Sequence, residues 1–408
     1  MFKMPEEIDI TIIGAGCIGC AIAYKLSTEV SSTKNILVLE KNKSVRGENQ
    51  SSRNSGVTHA GVYYPNKSKK AEFCVEGNRL LYEFCSRYNV PAIQCGKLIV
   101  ATNKEEDETL DEYLERAINN GVRGIEKIAG SEAKTLEPNI NAISALYVPT
   151  SGIIEPTEYV SKLHALASNN GAIFMFSSEV ITIEPQTDYF KVTIKRPQRV
   201  ETFITRFLIN SAGLYSDEIA KMVNPESKYK IMPVRGEAAK FYKTKRKEIN
   251  MNGMNVYPTP YWYDPETGER IPKEDLKNSK NKSLTLGIHL TPTFDLLGNG
   301  HNYNIGKTVT VGPTAMPIAN KEDYGSNLIP EEFYYGGIKE FFPNLRLEDL
   351  SLHQAGIRAV LENQYDFEIE KDPKYPNCIN LVGIDSPGLT SSLAIANYVV
   401  KMLKELRR

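Results

Sequence analysis

A glycine-rich turn near the start of the chain, between an apolar strand and a helix, constrains the fold more than any other feature. The β-branched run at 10–13 predicts a buried strand, and Gly14, Gly16 and Gly19 follow it in a G-x-G-x-x-G pattern. Gly14 permits a tight turn, Gly16 lets backbone approach a pyrophosphate, and Gly19 lets the helix lie close to the strand. The N-terminus of that helix would offer free N–H groups and a partial positive charge to phosphates.

A second apolar run, at 36–39, ends in Glu40. A carboxylate at this point accepts hydrogen bonds from a ribose diol, and its charge disfavours a 2′-phosphate. Strand, glycine turn, helix, strand and acid together predict a dinucleotide-binding unit. The alternative is a structural strand–helix–strand turn that binds no ligand.

Length, charge and cysteine content narrow the class of protein. The chain has 408 residues and a net charge of −1, so electrostatics gives no reason to expect nucleic acid as a partner. The six cysteines lack metal-ligand spacing, so we expect no metal site, and free thiols suit a reducing cytosol. The acidic start of the chain, with Glu7 and Asp9, argues against a signal peptide, and no apolar run is long enough to span a membrane. We therefore expect a cytoplasmic protein.

Two later segments repeat the strand–turn–helix form. A strand at 203–210 leads through Ala212 and Gly213 into a helix, and a strand at 378–383 leads through Gly388 into the C-terminal helix. One nucleotide-binding domain assembled from N-terminal, middle and C-terminal pieces would use all three turns.

The section between the second and third turns has a different sequence pattern, because proline and charged residues interrupt its predicted strands. It contains a polar insertion at 262–283, rich in Lys, Asp and Asn. We interpret this insertion as a solvated loop, with a lid or a partner contact as the alternative.

Short motifs spread along the chain carry a resemblance to a known family. They lie at 54–64, 95–98, 149–154, 233–237, 286–291, 311–313 and 355–358, of which the first and last are the most specific. With them the chain resembles, nearly from end to end, the FAD-dependent amine and hydroxy-acid oxidase superfamily, which includes D-amino-acid oxidase and glycerol-3-phosphate dehydrogenase. Within that superfamily it is most similar to the L-2-hydroxyglutarate dehydrogenase/oxidase family.

The resemblance and the strand pattern together predict an α/β fold with two domains. We expect a discontinuous Rossmann-like FAD-binding domain (1–90, 146–224 and 350–408). We expect an α+β substrate domain with a mixed, mainly antiparallel sheet (91–145 and 225–349).

The resemblance implies FAD as the cofactor. Some family members attach flavin through a histidine where this chain has Arg53, so we expect FAD to bind non-covalently. The helix that begins near Gly388 would stabilise the anionic reduced flavin through its dipole. The predicted cofactor-binding residues are Gly14, Gly16, Gly19, Glu40, Lys41, Ser52, Arg53, Asn54, Ser55, Val180, Ala212, Gly213, Gly388, Leu389 and Thr390.

Oxidation of a 2-hydroxy acid needs a cation for the carboxylate, a base for the hydroxyl proton and a flavin for the hydride. Arg358 suits the carboxylate, in an Ala-Gly-Ile-Arg motif that resembles the superfamily's substrate-binding arginine. His59 suits the base, since histidine titrates near neutral pH. The alternatives are a structural salt bridge for Arg358 and a hydrogen bond to flavin or backbone for His59.

Three further residues are candidates for substrate contact. His289 could contact substrate or act as a second base. Arg235 and Tyr257 are weaker candidates for the far end of the substrate. For Arg235 the alternative is an ion pair, with Glu237 or elsewhere, that supports the fold.

The favoured reaction is FAD-dependent oxidation of a small 2-hydroxy acid, L-2-hydroxyglutarate to 2-oxoglutarate, by hydride transfer to flavin N5. The alternatives are a flavoenzyme like glycerol-3-phosphate dehydrogenase or amino-acid oxidase, and a non-catalytic flavoprotein that binds a partner through 262–283. Oxygen, a quinone or a carrier protein could accept the electrons. The basic end of the C-terminal helix leaves peripheral membrane association open.

Overall fold

The computed structural model describes residues 7–29, 35–47, 49–264, 270–277, 279, 282–296 and 303–407. The strands are β1 (Glu7–Ile13), β2 (Ile36–Leu39), β3 (Val57–Thr58), β4 (Ala92–Ile93), β5 (Lys97–Ala101), β6 (Glu126–Ala129), β7 (Ser144–Val148), β8 (Gly152–Ile154), β9 (Ile173–Met175), β10 (Glu179–Pro185), β11 (Phe190–Arg196), β12 (Arg199–Asn210), β13 (Ile231–Tyr242), β14 (Asn255–Pro258), β15 (Tyr261–Tyr263), β16 (Ser283–Thr285), β17 (Leu290–Leu296), β18 (Tyr303–Val311), β19 (Met316–Pro317), β20 (Ser351–Leu361), β21 (Glu368–Lys371) and β22 (Cys378–Val382). The α-helices are α1 (Cys17–Glu29), α2 (Lys69–Tyr88), α3 (Lys104–Asn119), α4 (Gly130–Leu136), α5 (Pro156–Asn169), α6 (Ser216–Val223), α7 (Glu331–Ile338) and α8 (Gly388–Leu406). Short 3₁₀ helices lie at Gly213–Tyr215, Lys247–Ile249, Lys273–Asp275 and Leu347–Asp349.

The first sheet carries all three glycine turns at one edge. Its strand order is β10-β11-β12-β1-β2-β9, and β22 pairs with both β12 and β21. The neighbours β22, β12, β1, β2 and β9 run parallel. In register, Asn210 at the end of β12 aligns with both Ile13 of β1 and Asn380 of β22. The carboxyl ends of three adjacent strands therefore lie side by side.

Helices cover one face of the first sheet and bury its apolar strands. Helix α1 packs against α5 and α8, and α2 packs against α8. The largest apolar cluster lies between these helices and the sheet, and includes Ile10, Ile12, Ile22, Phe84, Leu163, Leu393 and Val399. Residues of β1, β2 and β22 also pack into a second apolar cluster, which includes Ile8, Leu37 and Cys378. Because both faces of these strands are covered, their sequences are continuous apolar runs rather than alternating patterns.

The second sheet is mixed and mainly antiparallel, as predicted. Its order is β19-β13-β18-β17-β14-β5-β7-β6, with β20 also paired to β13, and β14 with β5 is its parallel pair among the described strands. Strand β20 lies in a range that the sequence predicted for the FAD-binding domain, and β7 crosses the predicted boundary at 145/146, but both pair in this sheet. Strand β20 thereby connects the two sheets just before the third glycine turn.

The polar insertion predicted at 262–283 is described in part, since 265–269, 278 and 280–281 lie outside the described residues. Its ends pair as the antiparallel strands β15 and β16. Arg270 ion-pairs with Glu106 at 2.7 Å and Lys273 with Glu112 at 2.9 Å. These ion pairs attach the described part of the insertion to α3.

Within the described residues, none of the helices is both long enough and apolar enough to cross a lipid bilayer.

Gly19 tests the close contact between the first turn and α1. A Cβ at position 19 would lie 1.9 Å from the Gly14 carbonyl oxygen and 2.9 Å from Ser211 Oγ. We expect Gly19→Ala to lower the free energy of unfolding by about 1–3 kcal/mol, the usual cost of overpacking, measured by urea denaturation.

Gly336→Ala is the matched control, because a Cβ on this helical glycine would meet nothing within 4 Å. That substitution should be neutral or stabilise by about 0.5–1 kcal/mol. Equal unfolding free energies for the two variants would contradict the close packing at Gly19.

Candidate functional site

The turns after β1 and β12 are in direct contact. The Ser211 hydroxyl donates to the Ile13 carbonyl at 2.9 Å and reaches the Gly14 carbonyl at 3.3 Å. A Cβ at Gly14, where φ is +98°, would lie 2.5 Å from the Ser211 carbonyl oxygen. The third turn, at Gly388, begins α8, which packs beside α1. The structure therefore brings the three turns together at one edge of the sheet, as the sequence predicted.

Glu40 and Ser51 order the backbone at the first turn. Glu40 is 7% exposed, and its carboxylate accepts from the Ala15 N–H at 2.8 Å and the Asn42 N–H at 2.9 Å. Burial raises the pKa of Glu40, and these hydrogen bonds oppose that rise. The Cys17 N–H, at the start of α1, donates to Ser51 Oγ at 2.9 Å.

Ser51, the neighbour of the predicted cofactor residue Ser52, lies at the N-terminus of α1. The Ser52 hydroxyl instead accepts from the Gly47 N–H at 3.0 Å. Two adjacent serines gave no sequence signal to distinguish them, because only the loop conformation decides which one faces the helix. A Cβ at Gly16 would lie 3.2 Å from Ser51 Oγ, so glycine keeps this turn open.

The other predicted cofactor residues lie around the same edge. Lys41 Nζ lies 3.7 Å from the Tyr215 ring centroid, and Arg53 lies over the Tyr324 ring at 4.1 Å. Asn54 accepts from a backbone N–H of its own loop at 2.9 Å. Ser55 in the same loop is partly buried, Val180 is buried beside β2, and Leu389 is buried in the helix-covered core. Arg53 Nε is buried with no hydrogen-bond partner, so this loop has a polar group for a bound cofactor to satisfy.

His59 is fixed between the third turn and α2. Its backbone N–H donates to Thr390 Oγ1 at 3.1 Å, and its ring Nε2 lies 3.3 Å from Ser386 Oγ. The Asn78 side chain, on α2, donates to the His59 carbonyl at 2.8 Å. Burial, together with the charges of Lys97 and Arg358, lowers the pKa of His59 well below its usual value. The imidazole is therefore neutral at pH 7 and able to accept a proton.

His289 is buried against Tyr257. The two rings stack with centroids 3.7 Å apart and an interplanar angle of 17°. His289 Nδ1 lies 3.0 Å from the Gly287 carbonyl oxygen, which assigns the proton to Nδ1 and leaves the Nε2 lone pair free to accept. Burial lowers the pKa of His289 to about 3.

Arg358, on β20, presents a partly buried guanidinium. Its Nη2 donates to the Thr314 carbonyl at 3.3 Å, and no carboxylate of the described ranges lies within ion-pair distance. Burial lowers the pKa of Arg358, and the charge of Asp385 opposes this. Asp385 itself is ion-paired with Lys70 at 2.6 Å. Arg358 thus has donors available for an incoming anion.

Arg235 has a structural position rather than one at the substrate. Its Nε donates to Glu237 at 2.7 Å, and both side chains are 4% exposed. Its Nη1 ion-pairs with Asp323 at 3.1 Å, and its Nη2 donates to the Ser326 carbonyl at 2.7 Å. All three nitrogens are engaged, so we exclude Arg235 from the proposed substrate site. The ion-pair alternative is the one that these contacts support.

Lys97 is the residue that sequence reasoning missed. It is 2% exposed, and a small pocket has His59, the segment 60–64, Lys97, Val148 and Ser151 as its lining. Its Nζ lies 3.7 Å from the Tyr257 ring centroid. Burial lowers the pKa of Lys97 to about 7. The available signal was a lysine at the head of an otherwise apolar strand, Lys97–Ala101.

A comparison with protein families decides the assignment. The model described as FAD dependent oxidoreductase (DAO) matches residues 9–402. The chain belongs to the FAD-dependent oxidoreductase family. The predicted cofactor, FAD, and the prediction of an oxidoreductase are confirmed, which sets aside the non-catalytic alternative.

Relatives that are 30–32% identical to this chain match nearly all of it. L-2-hydroxyglutarate dehydrogenase, mitochondrial, of Arabidopsis thaliana is 32% identical over 427 residues, covering 97% of this chain and 83% of the relative. L-2-hydroxyglutarate dehydrogenase of Indibacter alkaliphilus is 31% identical over 418 residues, covering 96% and 98%. Glycerol 3-phosphate dehydrogenase of Caloramator mitchellensis is 30% identical over 402 residues, covering 98% and 74%.

Solved structures support the fold. L-alpha-glycerophosphate oxidase from Mycoplasma pneumoniae, with FAD bound, matches with a TM-score of 0.81 at 24% identity, covering 98% of this chain and 95% of that one. Glycine oxidase from Geobacillus kaustophilus matches with a TM-score of 0.74 at 16% identity, covering 98% and 95%. The predicted fold class is confirmed.

Glu40 provides a test of the adenosine end of the FAD site. In Glu40→Gln, one carboxylate oxygen becomes an amide donor that faces backbone N–H groups. Since hydrogen bonds to charged groups are worth about 1.5–3 kcal/mol, we expect the Kd for FAD to rise by about 10- to 100-fold. Fluorescence titration of the deflavinated protein with FAD measures this.

Glu29→Gln serves as the control, because Glu29 pairs on the surface with Lys25 at 3.0 Å at the far end of α1. Its Kd should match that of the unmodified protein. An unchanged Kd in Glu40→Gln would remove Glu40 from the cofactor site.

Proposed function

We propose that this enzyme oxidises a small L-2-hydroxy acid, with conversion of L-2-hydroxyglutarate to 2-oxoglutarate as the favoured reaction. The observation that carries the proposal is the proximity of a neutral, partly buried His59 to a partly buried Arg358 that has no carboxylate partner among the described residues. The two are close enough for the charge of Arg358 to lower the pKa of His59. This is a combination of base and anion receptor.

In this proposal Arg358 binds the substrate carboxylate. A guanidinium forms two parallel hydrogen bonds to a carboxylate, which fixes the orientation of the attached carbon. Because partial burial already desolvates the guanidinium and lowers its pKa, the substrate anion offsets an existing desolvation cost. Positioning of this kind supplies a large share of catalysis by making the reacting atoms neighbours.

His59 accepts the hydroxyl proton as the carbon is oxidised. Its backbone N–H donates to Thr390 Oγ1 and its ring Nε2 contacts Ser386 Oγ, so the residue lies next to the third glycine turn. FAD, when bound, accepts the hydride from the substrate carbon. The free Nε2 of His289 offers the hydroxyl a second hydrogen-bond acceptor.

Two observations favour the hydroxy acid over the alternatives. The relatives named L-2-hydroxyglutarate dehydrogenase match over 83% and 98% of their own lengths, whereas the relative named glycerol 3-phosphate dehydrogenase matches over 74%. The structures of amine-oxidising neighbours are below 25% identity and bear on the fold alone. We further propose that the enzyme acts in the cytoplasm, where free thiols stay reduced, and that it binds FAD non-covalently.

Anaerobic flavin reduction tests the substrate. We expect L-2-hydroxyglutarate to bleach the flavin absorbance of the purified protein in a stopped-flow experiment, and D-2-hydroxyglutarate, glycerol 3-phosphate and glycine to leave it oxidised. Bleaching by glycerol 3-phosphate or an amino acid, but by no hydroxy acid, would overturn the proposed substrate.

In the same experiment, His59→Gln should reduce flavin about 10²–10⁴-fold more slowly, the usual loss for a missing general base. Because the His59 pKa is lowered, the unmodified protein should keep its rate down to pH 6.5 and lose it only as the imidazole protonates at lower pH. His164→Gln is the matched control, since His164 lies on α5 and its ring centroid is 4.4 Å from that of Phe174. A full rate in His59→Gln would transfer the base role elsewhere.

A further inference from the structure

Resting on the proposed function, we propose that Lys97 is the specificity-determining residue that binds the second carboxylate of a dicarboxylate substrate. Arg358 binds the carboxylate beside the reacting carbon, and Lys97 binds the one at the opposite end. The far-end cation first expected at Arg235 is thereby reassigned, because the guanidinium of Arg235 is fully occupied by protein acceptors.

The position of Lys97 on the sheet makes its burial unavoidable. It begins β5, which lies between β7 and β14, and it pairs with Val148 on one side and Asn255 on the other. Every residue of β5 is buried. The ammonium therefore cannot reach solvent by a simple change of rotamer at an exposed edge.

The ammonium of Lys97 lacks the partner that buried charges normally have. Its Nζ lies against aromatic rings, at 3.7 Å from the Tyr257 centroid and 5.5 Å from the Tyr63 centroid. Within the described ranges, no carboxylate lies within 4 Å of it. Lysine is almost never fully buried unless it is paired, so a buried lysine facing a pocket indicates an anion that the ligand supplies.

The pocket connects Lys97 to the chemistry. Lys97 and His59 both line it, together with Tyr63 and Tyr64. The charge of Lys97 acts on both His59 and His289. An anion at Lys97 would therefore lie in the same site as the base, at a different point from the guanidinium of Arg358.

Among the titratable groups around Lys97, the neighbours stay neutral at pH 7, and Lys97 is the group whose charge changes near that pH. The neighbours are His59, Tyr63, Cys74, Cys95, Tyr257 and His289. Burial lowers the pKa of both histidines and raises the pKa of the tyrosines and cysteines. All six are thus neutral at pH 7, whereas the pKa of Lys97 is about 7.

Specificity follows from this arrangement. A dicarboxylate pairs with the protonated amine and raises its pKa, whereas a monocarboxylate leaves the amine unpaired. A site built around a buried polar group rejects ligands that lack its partner. Dicarboxylate binding should weaken as pH rises above 7, because the amine that receives the anion loses its proton.

Isothermal titration calorimetry of the FAD-loaded enzyme tests the inference, with 2-oxoglutarate and its monocarboxylate analogue 2-oxopentanoate as probes. We expect Lys97→Met to weaken 2-oxoglutarate binding at pH 6.5 by about tenfold or more, the scale of a lost charge-assisted contact. Binding of 2-oxopentanoate should stay within about twofold. Lys307→Met, an exposed lysine on β18, should change neither affinity.

Equal weakening of both ligands, or of neither, would overturn the inference. The unmodified protein gives an independent measurement if Lys97→Met does not fold. Its affinity for 2-oxoglutarate should fall about fivefold between pH 7 and pH 8, while that for 2-oxopentanoate stays constant. Parallel pH profiles for the two ligands would overturn the assignment.

Binding and flavin reduction report separately on the two proposals. Binding that depends on Lys97, without flavin reduction by L-2-hydroxyglutarate, would overturn the proposed reaction and support the carboxylate site. Flavin reduction with binding that does not depend on Lys97 would support the reaction and overturn the carboxylate site.

Discussion

The parallel hydrogen bonding of β22, β12 and β1 is the constraint on which the rest of the site depends. Each strand comes from a different third of the chain, and each leads into a glycine-bearing turn at the same edge. Ligands of open α/β sheets bind outside the carboxyl ends of the strands, where helix N-termini point outward. Strand alignment therefore brings the three turns to one edge, where we propose that FAD binds, and the second sheet, joined through β20, adds Arg358 next to that edge.

Uncompensated positive charge distinguishes the proposed substrate side of the site. Lys97 is buried and Arg358 partly buried, and neither has an ion-paired carboxylate among the described residues, whereas Lys70 and Arg235 are each paired. Burial keeps the neighbouring His59 and His289 neutral. The same low-dielectric surroundings thus prepare anion receptors and proton acceptors together, since desolvation disfavours both charged lysine and charged histidine.

Local pattern was sufficient to predict the first turn and a dinucleotide site, whereas the family resemblance identified the dinucleotide as FAD. The G-x-G-x-x-G run, the apolar strands and Glu40 are adjacent in sequence, so their geometry follows from short-range rules.

Long-range pairing was not predictable in the same way. Whether β7 and β20 join the first or the second sheet depends on partners distant in sequence. The guanidinium of Arg235 could equally well bind a substrate carboxylate. Only the acceptors that surround it in the structure identify it as a structural residue. Lys97 carries no motif of its own, and its role emerges from burial and from the absence of a carboxylate nearby in the described ranges.

The most direct test of this account is a crystal structure of the protein with FAD bound. We expect pyrophosphate at the N-terminus of α1, ribose hydroxyls on Glu40, and the isoalloxazine ring beside His59 and the turn at Gly388. Density for FAD that contacts only one of the three turns, or that lies away from the carboxyl edge of the first sheet, would contradict it.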